Sequence, residues 1–461
     1  MTAQQVIHLF ARTSFGTSFE LAQKSYALSR ETLVENLFSD SKNFTPLIFS
    51  ENEMPNLREL KDLKDKKKLQ EKVKEYQRDL NLSWLKRLIS QKEALRERMV
   101  FYWHNHFACA VNNPIQLLEL NNICRKLAFA PFKELLMAVS KSPAMLNYLN
   151  NQQNRKKHPN ENFARELMEL FTIGRGNYTE NDIKESARTF TGWAFNRETS
   201  EFEFRQNQHD SDEKTFMGEN GNFSGEDIID ILLKRKETAV FLCRKFYKHL
   251  VNDIPDDKIV NELAEFYYAN NYDTEKLLRK IFLADWFYDK KNIGVLIKSP
   301  IELLVNLTKT FEVSYAKPET LFMIQRLTGQ VLFSPPNVAG WPGGKNWIDS
   351  STIMFRLKLT AILINDGIIE IDTKFENADD INLKTMERVE DAQKKTAKRT
   401  GAKADWIQIE KTFNKNITTA NLITYFIPAG ISNEKIKLIE EDKNLKDIIL
   451  KIVSLPEYQM C

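Results

Sequence analysis

The stretch 224–288, "SGEDIIDILLKRKETAVFLCRKFYKHLVNDIPDDKIVNELAEFYYANNYDTEKLLRKIFLADWFY", decides the fold class of this chain. Ser224 stands as a helix N-cap with Asp227 three residues on, the spacing at which a side chain and a backbone N–H satisfy each other reciprocally. Apolar residues then recur at three- and four-residue steps, which gathers them on one side of a 3.6-residue helix. A second run extends from about Lys236 to Val251, and the next repeats the pattern with Pro255 and the pair Asn270-Asn271 as punctuation. These runs read as core helices.

Working outward, the same period returns between Leu57 and Ile89. There Leu60, Leu63, Leu69, Val73, Tyr76, Leu80, Trp84 and Leu88 sit in a field of Lys and Glu, which predicts a long amphipathic helix with a solvated charged face. Strand-like alternation is scarce: "EFEFRQ" at 201–206 and the Gly- and Asn-rich stretch after it allow at most a small hairpin near 200–225. The expected fold is all-α. Its parts are a helical body over 1–370 with a charged excursion at 57–90, a polar exposed segment at 371–410, and a C-terminal helical segment at 411–461 packing on the body.

Composition excludes several classes. The 66 basic and 63 acidic residues leave a net charge of +3, without the lopsided field of a nucleic-acid or polyanion binder. Cys109, Cys124, Cys243 and Cys461 show no CxxC spacing, so buried free thiols are expected rather than disulfides or a thiolate zinc site. The start, "MTAQQVIHLFARTSFG", lacks the pattern of a signal peptide, and no run of about 18 apolar residues occurs. The expectation from the sequence as written is a soluble, cytoplasmic protein.

Four stretches could carry chemistry. In "RERMVFYWHNHFACA" His104 and His106 are two of only six histidines. On a helix they point about 200° apart and do not share one ion; on extended backbone they could chelate it. The plainer alternative is that each ring satisfies a buried polar group. In "HPNENFARELMELFTIG" Asn160 suits an N-cap and Gly174 a terminator. Glu161, Asn162, Arg165, Glu166 and Glu169 share one sector of that helix, as a surface ion ladder or as carboxylates facing a cleft.

In "QNQHDSDEKTFMGENGNFSG" His209, Asp210 and Lys214 could bind a metal, move protons or grip an anion, or simply form a polar turn. In "SPPNVAGWPGGKNW" prolines and glycines fix a loop around Trp341 and Trp347, as a ring-stacking platform or as anchors of the loop. Its GxxxGK is one residue short of a phosphate loop, and Asn346 stands where the Ser or Thr belongs, which excludes that nucleotide site. HExxH, ExxH, GxSxG and GxGxxG are absent from the sequence, removing zincin, di-iron bundle, hydrolase-elbow and Rossmann readings.

Taken in order, "HLFARTSFG", "FYWHNHF", "NENFARELMELFTIGRGNYTENDIKESARTFTGW", "HDSDEKTFMG", "KSPIELL" and "SPPNVAGWPGGKNW" resemble the bacterial DUF1800 family of unknown function, over about residues 7 to 360. The resemblance implies a predominantly α-helical protein. It also implies export in many members, and genes adjoining those of a second uncharacterised, sulfatase-like family. The positions it carries over are His104, Asn105, His106, Asn160, Glu161, Asn162, Arg165, Glu166, Glu169, Gly192, Trp193, His209, Asp210, Lys214, Gly340, Trp341 and Pro342. This chain departs from the family pattern at Phe171, where many members have His, and at the start, where many have a signal peptide; the latter keeps a periplasmic or exported location open.

The leading expectation is an enzyme, a hydrolase in which these motifs share a cleft. Glu166 and Glu169, with His209 and Asp210, would be catalytic. His104, His106 and Glu166 would hold a divalent metal ion. Asn105, Asn162, Arg165, Lys214, Trp193 and Trp341 would bind a glycan or cell-envelope substrate. The alternative is a non-catalytic helical scaffold that docks the exported sulfatase-like partner.

Overall fold

In the computed structural model, residues 1–50, 66–364, 368–369, 398–399, 401–413, 417–442 and 444–461 are described. Helices dominate, and strands occur only as two-stranded pairs among these residues. The capping box at Ser224 forms, with the Asp227 N–H donating to Ser224 and Asp227 accepting from the Ser224 N–H, and opens the helix Gly225–Lys234. Lys236–Leu250 follows and packs lengthwise on Asp257–Ala269, which ends at the Asn270 cap before Asn271 and Tyr272 turn the chain at positive φ.

The helix Ala94–His106 is the axis of the molecule. Every residue from Leu95 to His104 is buried, and so is His106. A helix covered on all sides must be surrounded by others, here by Pro114–Lys126, Arg30–Asp40 and Ala3–Thr13. Lys66–Ser90 enters the same core: its first half is largely exposed, while Leu80, Trp84, Leu85 and Leu88 are buried. The predicted part of this helix before Lys66 lies outside the described residues. All four cysteines are free and buried.

Two hairpins form where at most one was expected. Trp193–Phe195 pairs with Phe202–Phe204, and Lys214–Phe216 with Glu219–Gly221. The second closes through Met217 (φ 49°) and Gly218 (φ 86°), the double positive φ of a tight two-residue turn. Met is a poor signal for that conformation, so alternation alone missed it. Of the polar stretch expected at 371–410, residues 371–397 lie outside the described set. Ala402–Lys403 pairs with Ser314–Tyr315, and Trp406–Thr412 is helical. Thr419–Phe426 packs on the first helix, Ala3–Thr13, and Cys461 exchanges backbone hydrogen bonds with Leu296.

Candidate functional site

The acidic helix is irregular. The N-cap is Glu161 rather than the expected Asn160, which sits one residue earlier and accepts from the Asn162 N–H at 3.0 Å, and after Asn162–Glu166 the chain widens into a π-turn, Leu167–Phe171. Thr172 Oγ1 donates to the Leu167 carbonyl at 2.6 Å, and the Ile173 and Gly174 N–H groups both return to Met168. Such turns add a residue per turn and are invisible to a 3.6-residue count.

The expected ladder through Glu161, Arg165 and Glu169 is therefore broken. Arg165 donates to Glu161 at 3.1 Å and forks onto Glu180 at 3.0 Å, while Glu169 takes Arg175 and the Tyr178 hydroxyl, at 2.9 Å for the latter. These hydrogen bonds raise the Arg165 guanidinium, and desolvation with the Glu169 carboxylate lifts Tyr178 to about 12. Asn162 is exposed. Glu166 differs: half-buried, it has no hydrogen-bond partner among the described residues, and desolvation together with Glu169 raises its pKa.

The two histidines face different walls, as a regular helix requires. His104 is enclosed by Trp84 (4.8 Å between ring centroids), Phe333 (5.1 Å) and Trp341 (5.8 Å), and neither ring nitrogen has a partner. Burial and the charge of Arg125 lower it to about 3, so the ring is neutral. His106 lies among Tyr102, Trp103, Phe107, Phe132 and Phe171; its Nε2 reaches the Phe171 carbonyl at 3.2 Å and its Nδ1 is unpartnered. The Phe171 ring faces His106 at 6.0 Å, so the departure at 171 puts an apolar ring where a second base would stand. Among the described residues no three His, Cys, Asp or Glu side chains gather to hold a metal ion. The set His104, His106 and Glu166 thus does not fit the expected ion.

Asn105, between the histidines, is a tie. Its Oδ1 accepts the Trp341 N–H at 2.7 Å, and a Cβ on Gly340 (φ 86°) would come within 2.3 Å of that same oxygen. Glycine at 340 lets the loop 334–347 lie directly on the end of the central helix. Trp341 and Trp347 are both buried, anchoring the loop rather than offering an open stacking surface.

The loop motif is also internal. His209 Nδ1 lies 2.9 Å from the Thr191 carbonyl, and Asp210 is bound by Arg188 at 2.8 Å. Lys214, buried, donates to the carbonyls of Asp210 (2.6 Å) and Asp212 (2.9 Å). Trp193 is buried against Phe190 and Phe202, with the Lys141 ammonium 5.3 Å from its ring.

The sequence reading missed the charged knot beneath the histidines. Buried Glu97 accepts from Arg125 Nε (2.6 Å), Arg125 Nη2 (3.0 Å) and Trp84 Nε1 (3.0 Å), with Arg87 Nε 2.9 Å away. The signal was present in "RERMVFYWH", where charges interrupt an otherwise apolar helix.

A family described as protein of unknown function (DUF1800) has a model that matches residues 8–460. No curated protein and no solved structure matches the chain. No helix among the described residues is long and apolar enough to cross a membrane.

Proposed function

Since the chain belongs to the DUF1800 family, whose description assigns no activity, we propose from the site itself that it is a non-catalytic helical binding protein that docks a partner through the face around the acidic helix. One observation carries this reading: apart from Glu166 and His104, the main candidate polar groups are held by neighbours rather than converging on a reacting atom. Arg165 and Glu169 sit in ion pairs, Asp210 is held by Arg188, and Lys214 and His209 tie loop carbonyls. Acid–base catalysis needs groups within reach of one substrate position. The partner proposed is a sulfatase-like protein, on the gene adjacency that the family resemblance implies.

The test is calorimetric titration of the full chain with a purified protein of the sulfatase-like family that the resemblance implies as a neighbour of many DUF1800 members. Saturable binding, weakened at least about tenfold in Glu166→Gln with no turnover by the chain alone, supports docking. Absence of binding sinks it.

One observation favours the second reading, a hydrolase. Glu166 combines partial burial, a raised pKa and the lack of a hydrogen-bond partner among the described residues, the properties of a general acid. That reading predicts glycan or envelope-ester hydrolysis by the purified chain, abolished in Glu166→Gln. If wild type and Glu166→Gln are equally inert across such substrates, it fails.

A further inference from the structure

Two motifs unused by either reading meet in the core. "HLFARTSFG" (8–16) lies against the helix Pro300–Thr310, which begins within "KSPIELL" (298–304): Lys309 Nζ donates to the Gly16 carbonyl at 2.6 Å and Asn306 Nδ2 to the Phe15 carbonyl at 3.3 Å. Their junction collects cations. Arg12, Arg98 and Arg356 are at most 1% exposed and Lys298 is 8% exposed. Arg98 pairs with Glu302, and no other carboxylate among the described residues forms an ion pair with any of the four. Glu302 also caps its helix, accepting the Ser299 N–H at 2.6 Å.

The cluster is cross-linked by neutral acceptors. Arg12 donates to Cys461 Sγ (3.0 Å) and the Asn292 carbonyl (3.2 Å). Arg356 donates to the Lys298 carbonyl (2.6 Å) and Gln459 (3.2 Å), and Lys298 to the Tyr458 carbonyl (2.7 Å). Four cations around one carboxylate leave the interior strongly positive, a state that costs free energy unless an anion compensates it. Donors remain available: Arg12 Nε, Arg98 Nε, Arg356 Nη1 and Gln459 Nε2 are buried without acceptors. A cavity of about 40 Å³ reaches this cluster through Lys298, Tyr458 and Cys461, the last bonded to Arg12, while the three arginines themselves do not line it; its size admits a small ion but not an organic substrate.

We propose that this cluster, Arg12, Arg98, Lys298 and Arg356 around Glu302, is a binding site for a small monovalent inorganic anion of the chloride class. The anion neutralises the junction between the N-terminal helix and the helix Pro300–Thr310, so its role is to hold the first helix on the segments around Lys298 and Tyr458. This is separate from the docking face and from Glu166.

The test is thermal unfolding of the full chain with chloride exchanged for gluconate at fixed ionic strength. Saturable stabilisation is expected, a rise of about 2–5 °C once chloride greatly exceeds its dissociation constant. Arg356→Met should flatten that response, whereas Arg244→Met, which removes a surface pair with Asp257, should leave it intact. If Arg356→Met does not fold, Arg356→Lys serves, with chloride binding about tenfold weaker. A wild-type midpoint indifferent to chloride, or a full response retained in the Arg356 variant, overturns the proposal. Sulfate or phosphate acting at lower concentration than chloride overturns the assignment of ion class.

Discussion

Glutamate and arginine meet in two parts of this molecule under opposite conditions. Around Glu97 the carboxylate is buried and takes three hydrogen bonds, two from Arg125 and one from Trp84, inside the central bundle. On the acidic helix Arg165 and its partners Glu161 and Glu180 are open to water, with 36%, 37% and 69% of each side chain exposed. The first arrangement is obligatory, because removing either partner strands a charge in low dielectric. The second is a screened surface pair. Residue type alone does not separate structure from function; solvent does.

The sharpest way to break this contrast is at Glu97. Glu97→Ala leaves Arg125 buried without its carboxylate and should destabilise the fold by about 3–5 kcal/mol in denaturant titration. The pair Glu97→Leu with Arg125→Met should recover part of that loss, since two apolar groups of similar volume avoid the desolvation cost. If the single change costs no more than a surface substitution, the knot is not the keystone of the bundle.

Next in size is Gly340→Ala. The residue sits at positive φ with its missing Cβ directed at Asn105, so strain and steric clash combine to cost about 2–3 kcal/mol. The docked loop should lift, moving Trp341 emission to longer wavelength. An unchanged spectrum would show that the loop does not depend on that close approach.

His104 gives a smaller, pH-dependent effect. Its folded pKa is about 3 against an ordinary 6.5, so below pH 6.5 the unfolded chain takes up a proton that the folded chain refuses. Stability is therefore complete above pH 6.5 and falls progressively as pH drops toward 3. At pH 5 this amounts to about 2 kcal/mol. Because neither nitrogen has a partner, His104→Leu should cost little at pH 7 and should flatten this slope. A variant that loses stability equally at both pH values would reveal a hydrogen bond to the ring.

The helical architecture was legible because capping and period are local properties. Ser224 with Asp227, the Lys236 start and the Asn270 end arise from the residues themselves. The candidate site was less legible, since a motif's polar residues announce themselves whatever they bond to. Lys214 and Asp210 look alike in sequence whether they face substrate or hold a hairpin loop. The π-turn at 167–171 and the tight turn at Met217 depend on tertiary fit, and the Arg12, Arg98 and Glu302 cluster joins segments nearly 300 residues apart. No window of sequence contains such a pairing.

The smallest expected effect belongs to the exposed pair. Arg165→Ala removes contacts to Glu161 and Glu180, yet all three groups keep access to water and counterions. Strong mutual hydrogen bonding raises the Arg165 guanidinium, but a guanidinium already charged at every working pH gains no stability dependence from that shift. The thermal midpoint should move by less than about 1 °C, while partner binding should weaken if the acidic face docks another protein. A large loss of stability would place Arg165 with Glu97 as a structural residue, and the face around it would lose its claim to be free for recognition.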